Sequence, residues 1–327
     1  MILAGDIGGT KTVLALYETD ALDAPVREKT FPSQKHATFD EIVRTFLSAG
    51  PACTLSAGCF GVAGPIVSGR CKTTNLPWSL DEGDLAKMIG APRVKLLNDL
   101  EAAAFGMLFL KPEELCILNP GKADSKGNVA VVAAGTGLGE AILYWDGKDH
   151  HPIASEGGHT DFAPRNDLEI ELLRYLMKVH GGHASYERIL SGPGFVSVYE
   201  FLRDTGRYPE DPKVRAEYEA SEKGPVLGKY GLERTDPLAT AAMDMFCEIY
   251  GSEAGNLALK CLSLGGVYVG GGIGPKILAA LQRGGFMEAF KDKGRFAKLL
   301  GDMPVKVALN PRAPIIGAAQ YAKRISR

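Results

Sequence analysis

Ile2-Leu3-Ala4-Gly5-Asp6-Ile7-Gly8-Gly9-Thr10-Lys11-Thr12-Val13-Leu14-Ala15-Leu16-Tyr17 is the stretch on which the fold turns. An apolar run leads into a glycine-rich turn and an alternating run leaves it, which predicts two short strands around a tight bend. Residues 5–12 nearly match the P-loop pattern, but Thr10 stands where the second required glycine belongs. Strand-like sequence then follows where that loop needs a helix, so a P-loop is excluded, and the G-x-G-x-x-G fingerprint is absent as well. The bend can still act on anions. Glycine lets bare backbone N–H groups approach phosphate oxygens because no Cβ intervenes. Thr10 adds a hydroxyl and Lys11 a cation. Asp6 would repel a bare phosphate, and beside one it makes chemical sense through a Mg2+ ion or its water shell. An ordinary hairpin with Asp6 as a turn residue fits the same letters.

The layout returns at Val129 to Tyr144, where an apolar strand, the turn Gly135-Thr136-Gly137-Leu138-Gly139 and a second apolar strand form a weak internal repeat. Two such hairpins, one per lobe, would clamp a triphosphate. Gly270-Gly271-Gly272 closes another apolar strand. Backbone there can lie flat against a base or ribose, or the glycines can serve close helix–strand packing. Further strands are expected at 27–32, 55–62, 93–97 and 305–309. Helices are expected at 38–49 with Thr38 as N-cap, and at 80–89, 101–110, 168–179, 194–203, 237–262 and 315–324, with another starting at Pro275. Residues 204–234 are polar and interrupted by glycine, and read as a solvated surface insertion. Strands alternating with helices indicate an α/β fold with mixed sheets in two lobes. The expected division is a small domain of 1–110 with 302–327 and a large domain of 111–301.

Composition narrows the function. The 327 residues suffice for two domains with a large core. A formal net charge of −2 gives no pull toward nucleic acid or an anionic membrane. No apolar run approaches the ~18 residues that a membrane span needs. The opening MILAGDI lacks a basic n-region and a cleavage site, so a cytoplasmic location is expected. The six cysteines form no C-x-x-C pair and the six histidines no H-E-x-x-H helix. They read as ordinary thiols in a reducing compartment, and a structural metal is not expected.

Three further groups carry chemistry. Asp99 follows a strand and precedes a helix, where open α/β sheets place ligands. Its carboxylate could accept the proton of a hydroxyl attacking a γ-phosphorus, or it could simply cap the helix. Glu156-Gly157-Gly158-His159-Thr160-Asp161 packs two carboxylates, an imidazole and two glycines into six residues. They could bind a polyhydroxylated substrate, or His159 and Asp161 could ligate a metal. Glu187, read alone, is a solvated helical charge.

Taken together, GDIGGTK at 5–11, LLNDLEAAAFG at 96–106, AAGTGLGEA at 133–141, EGGHTDFAP at 156–164, YERILSGPG at 186–194, GGVYVGGGI at 265–273 and PIIGAA at 314–319 resemble the bacterial glucokinase family. That family lies within the actin/hexokinase/heat-shock-70 ATPase superfamily. The related repressor/kinase group usually has a cysteine-rich zinc motif, which this sequence lacks. The resemblance implies a two-lobed actin-like, ribonuclease H-like fold with mixed sheets and a central cleft. It implies transfer of the γ-phosphoryl of ATP, with Mg2+, to the 6-hydroxyl of glucose, Asp99 being the general base. Asn98, Glu156, His159 and Glu187 match the family's sugar-contacting positions, with the loops of Gly64 and Asn75 near the sugar. Gly5, Asp6, Ile7, Gly8, Gly9 and Thr10, with Gly135, Thr136, Gly137 and Gly139, match the phosphate-binding hairpins. Gly270, Gly271 and Gly272 match the adenosine side, and Asp6 would meet Mg2+ indirectly through water. Some members carry Asn at the position of Lys11, so Lys11 is given no role. A homodimer is the family expectation. A kinase of another hexose or amino sugar, or a non-catalytic sugar sensor on the same fold, are the alternatives.

Overall fold

The computed structural model describes residues 1–122 and 126–327. It divides into two compact units, one of Met1–Lys111, His150–Ala154 and Asn310–Arg327, the other of Pro112–Asp149 and Ser155–Leu309.

In the first unit β1 (Ile2–Ile7), β2 (Lys11–Tyr17) and β3 (Arg27–Pro32) form an antiparallel meander. Helix α1 (Phe39–Ser48) follows. Its N-cap is Thr38, whose hydroxyl accepts from Glu41 N–H, and it buries Phe39, Ile42, Val43 and Phe46 on one face. Then come β4 (Ala57–Val62), a small sheet of β5 (Ile66–Val67), β6 (Arg70–Lys72) and β7 (Ser79–Asp81), helix α2 (Glu82–Ile89), β8 (Val94–Asn98) and α3 (Asp99–Met107). The main sheet runs β3-β2-β1-β4-β8, with β4 and β8 parallel to β1.

The second unit repeats the plan. It opens with β9 (Leu115–Asn119), β10 (Val129–Ala134) and β11 (Leu138–Trp145). The chain then contributes β12 (His150–Ile153) to the first unit. Helices α4 (Asp167–His180), α5 (Gly192–Asp204), α6 (Pro212–Ala220), α7 (Lys223–Glu233) and α8 (Pro237–Cys261) follow. Strand β13 (Gly266–Gly270), short helices α9 (Leu278–Leu281), α10 (Gly285–Lys291) and α11 (Ala297–Asp302), and β14 (Val305–Ala308) complete this unit. Strands β10 and β11 form an antiparallel hairpin, and β13 then β14 extend it in parallel. A hairpin continued by two parallel strands therefore occurs once per unit, as the repeat in the sequence suggests.

Three expectations change. Residues 204–234 are not a solvated insertion: α6 and α7 bury Val214, Tyr218, Leu227 and Tyr230 in the second unit's core. A single apolar stripe at helical spacing suffices to seat each helix while its remaining residues stay polar. No helix starts at Pro275. Turns fill that stretch, and α9 begins at Leu278. Residues 302–309, expected with the small domain, fall in the second unit, since β14 pairs with both β13 and β9.

The first unit is closed by α12 (Ala313–Ile325), which lies across α3 with Gly106 facing Ala313 and Gly317 facing Ala102. An added Cβ at either glycine would run into backbone of the opposite helix. Gly317→Ala should therefore force the two helices apart and cost about 1–3 kcal/mol of unfolding free energy, read from the midpoint of denaturant unfolding at constant slope.

Candidate functional site

Strand register sets the stage in the first unit. Ile7 pairs with Val62 and Val62 with Asn98, so β1, β4 and β8 end at one level. The residues leaving that level are Gly8, Ala63 and Asp99, at the carboxyl edge where such sheets bind ligands. The Gly8-Gly9-Thr10 bend is tied down from inside. Gly8 N–H donates to Lys11 O at 3.0 Å, Ser33 Oγ donates to Gly8 O at 2.7 Å, and Ser33 N–H donates to Thr10 O at 3.0 Å. Thr10 itself is exposed. Asn75 lies beside this bend, its Cβ 3.0 Å from where a side chain on Gly9 would begin. Gly5 and Ile7 are buried within β1, Gly5 against Phe60, so they hold the hairpin and present no surface.

The helix cap falls to Asn98 and not to Asp99. Asn98 Oδ1 accepts from Leu100 N–H at 2.9 Å, and Glu101 closes the capping box on Asn98 N–H at 2.7 Å. Of the two amide hydrogens on Asn98, one goes to Gly64 O at 3.3 Å. Gly64 sits at φ +139°, a conformation that favours glycine. Asp99 is the first residue of α3 and exposed, with Oδ1 accepting from Leu100 N–H at 2.8 Å. The positive end of the helix backbone favours an anionic side chain at that position.

Asp6 is largely buried, and burial first, then the charge of Asp99, push its carboxyl up to about 6, while Lys11 opposes the rise. Two acidic groups thus act on each other across the strand ends. A hard cation arriving with its water shell would relieve both causes, and carboxylate oxygen is the donor that Mg2+ prefers. Asp6 fits that ion.

In the second unit the Gly135-Thr136-Gly137 bend is held from below. Gly135 N–H donates to Gly137 O at 2.8 Å and Gly192 N–H to Gly135 O at 2.9 Å. Thr136 is exposed. Gly139 pairs with Ala133 inside the hairpin. Glu187 is not a solvated helical charge. It sits in the turn Tyr186–Arg188, its Oε2 accepts from Leu138 N–H at 3.0 Å, and a side chain at Gly137 would collide with it. Its Oε1 stands 3.8 Å from His159 Nδ1. Glu156 and His159, both exposed, open and close the turn Glu156-Gly157-Gly158-His159, where His159 N–H donates to Glu156 O at 3.0 Å. Asp161 points elsewhere, to His183 Nε2 at 3.0 Å. His159 and Asp161 therefore do not converge as metal ligands, and among the described residues no group of three or more His, Cys, Asp or Glu is placed to hold a metal.

The three glycines after β13 differ in kind. Gly270 is buried and closes the strand. Gly271 is at φ +77°, with an added Cβ colliding with Ala134 O, whereas Gly272 is exposed with open space around it. Close packing thus explains one of them and leaves another's backbone facing outward. Ser33, Tyr250 and the buried Glu140 were not singled out from sequence. For Glu140 a signal exists, since it lies two residues beyond the buried Leu138 on an alternating strand.

The Glucokinase family model matches residues 3–325. A glucokinase of Nostoc punctiforme is 40% identical over 339 residues, covering 99% of this chain and 99% of its own. The crystal structure of a glucokinase from an Antarctic psychrotroph superimposes with a TM-score of 0.87 at 30% identity, covering 99% of this chain and 98% of that one. At 20% identity and a TM-score of 0.62, a ROK family glucokinase from Streptomyces griseus, solved with glucose and AMPPNP, shares the fold over 99% of each chain. Among the described residues no helix is long and apolar enough to cross a membrane.

Tyr250 underpins the second hairpin. Its buried hydroxyl accepts from Ala134 N–H and donates to Val132 O, each at 3.1 Å. Tyr250→Phe should leave both backbone groups unpaired and cost about 1–3 kcal/mol in denaturant unfolding.

Proposed function

The chain belongs to the glucokinase family, and on that premise we propose that it transfers the γ-phosphoryl group of ATP to the 6-hydroxyl of glucose, yielding ADP and glucose 6-phosphate. The observation that carries this reading is the level row of strand ends. It sets Asp99, next to the N-cap Asn98, on the same edge as the glycine hairpin that follows Asp6.

Asp99 takes the proton of the sugar hydroxyl as its oxygen attacks the γ-phosphorus and the bond to the β-phosphate oxygen breaks. Asn98 offers its remaining amide hydrogen to the sugar. Glu156, His159 and Glu187 bring acceptors and a donor to other hydroxyls, and the 3.8 Å separation of His159 from Glu187 lets both turn toward a ligand. Gly64 and Asn75 border the sugar. Backbone at Gly9 and Thr10 and at Thr136 and Gly137 carries the phosphates, the Gly8 and Gly135 amides being spent in shaping their own bends, and Gly272 takes the adenosine side. Mg2+ arriving with the nucleotide would neutralise charge at the phosphates, and Asp6 would be the residue to hold it. A homodimer and a cytoplasmic setting belong to the same proposal. All six cysteines are free thiols, in keeping with a reducing compartment.

Asp99→Ala should lower turnover by about two orders of magnitude or more while glucose still binds. The check is a coupled phosphorylation assay across a panel of hexoses with ATP and Mg2+, beside glucose binding followed by tryptophan fluorescence. Near-full turnover in the variant would remove Asp99 from its role. Absence of activity on every hexose would remove the kinase assignment.

A further inference from the structure

Beneath the turn that carries Glu156 and His159 lie two carboxyl groups that the phosphoryl transfer does not use. Glu140, on β11, is 2% exposed and Glu253, in the middle of α8, is 0% exposed. An added Cβ at Gly157 would collide with Glu140 Oε2, and one at Gly158 with Leu138 O. The turn therefore rests directly on the Glu140 carboxyl and on the strand that bears it. Glu140 Oε1 is buried with no donor from the protein.

Several groups face the pair. From α8, Asn256 Nδ2 donates to Glu253 Oε2 at 2.8 Å, Lys260 Nζ stands 3.5 Å from Glu253 Oε1, and Tyr250 feels the charge of Glu140. From the turn at 186–188, Tyr186 Oη accepts from Asn256 at 3.0 Å and Glu187 holds Leu138 N–H. From the segment after α10, Lys293 also feels the charge of Glu253, with its Nζ donating to Ser252 Oγ at 3.1 Å. Glu253 Oε1 is likewise buried without a hydrogen-bond partner. Two buried carboxylates in hydrogen-bonding reach cannot both stay ionised at tolerable cost, and one proton between them gives an orphaned oxygen a partner. Burial, with the charge of Glu253 adding and Lys260 opposing, raises Glu140 to about 8.

We propose that a single proton held between Glu140 and Glu253 seats the Glu156–His159 turn, making both acids positioning residues for sugar binding. This rests on the assignment of Glu156 and His159 to the sugar. While the proton is present, an O–H···O bond ties β11 to α8 and the Gly157 backbone lies on a neutral carboxyl. Its loss sets two anions against each other directly under the turn. Sugar affinity then falls, while Asp99 and both glycine hairpins are untouched, so the effect appears in the sugar KM and not in kcat.

The sign follows from linkage. Glu140 has a higher pKa folded than unfolded, so folding binds a proton, and the contribution to stability is lost as pH rises toward about 8. Glu140→Gln keeps a donor toward Glu253 and cannot ionise. The experiment measures glucose KM, kcat and melting temperature for wild type and Glu140→Gln between pH 6 and about 9. If the ionised form is incompetent, wild-type KM should rise by up to about tenfold by one pH unit above the transition, with kcat little changed and the variant flat. The melting temperature of wild type should fall relative to the variant as pH rises from 6 to about 8 and run level with it above. Should Glu140→Gln fail to fold, Glu253→Gln removes the neighbouring charge and leaves an amide donor beside Glu140, so the transitions in KM and melting temperature should move to lower pH, and unmoved transitions would overturn the shared proton. Parallel melting profiles would overturn the shared proton. Diverging melting profiles with parallel KM profiles would overturn its link to the sugar. If no hexose is phosphorylated at any pH, the parent assignment fails, and the melting profiles alone decide the proton.

Discussion

Parallel strand register is the constraint from which the chemistry of the first unit hangs. With Ile7, Val62 and Asn98 side by side, three strands stop together and their following residues emerge on one edge. A slip of one residue in β8 would turn its side chains to the opposite face and carry Asp99 away from that edge. The register is enforced from both sides of the sheet. Leu3, Phe60 and Leu96 enter a cluster of large side chains, while Ala4, Ala57 and Cys59 face one rich in alanine, so a one-residue slip would drive Phe60 into the close-packed small-residue face. The second unit obeys the same rule. Ala133 pairs with Gly270, which lets the Gly135 bend and the Gly271 turn leave their strands nearly level.

Backbone crowding is the second constraint, and it divides the glycine-rich motifs into two populations. At Gly137, Gly157 and Gly271 the space for a side chain is already taken by Glu187, Glu140 and Ala134. Those glycines bring backbone down onto other groups and fix the shape of the site. At Gly272 the space is open, and on the proposed function the missing side chain would leave room for the adenosine. One motif, read as a string of glycines, thus mixes residues that build the site with residues that face what it binds.

This mixture explains what could be read from sequence. The two hairpins, the strand before Asp99 and the Thr38 cap were legible because each rests on local periodicity or on a single capping contact. Which residue caps α3 was not legible: Asn98 and Asp99 are both good caps, Leu100 N–H reaches both side chains, and the return bond from Glu101 to Asn98 N–H decides it. Glu187 looked solvated because its partners are Leu138 N–H, 49 residues away, and His159. Helices α6 and α7 were hidden by charge, since each buries only a narrow stripe. Residues 302–309 fall in the second unit because β14 pairs with β13 and β9, a long-range pairing that local sequence does not display.

The buried acids follow the same logic one level deeper. Replacing a buried ionic pair with apolar side chains of similar volume is often neutral or stabilising, so stability alone gives little reason for Glu140 and Glu253. Geometry gives a better one. The Gly157-Gly158 backbone needs something flat and close beneath it, and a branched aliphatic side chain at Glu140 would meet the surface that glycine has cleared. A carboxyl presents a planar edge and, when it shares a proton, binds strand to helix along a fixed direction. Lys260 compensates the single remaining charge from its exposed position, and Asn256 links the pair to Tyr186, the neighbour of Glu187. A directional bond below and the Glu187 contacts above thus converge on the one turn, whose only freedom is the short span from Glu156 to His159.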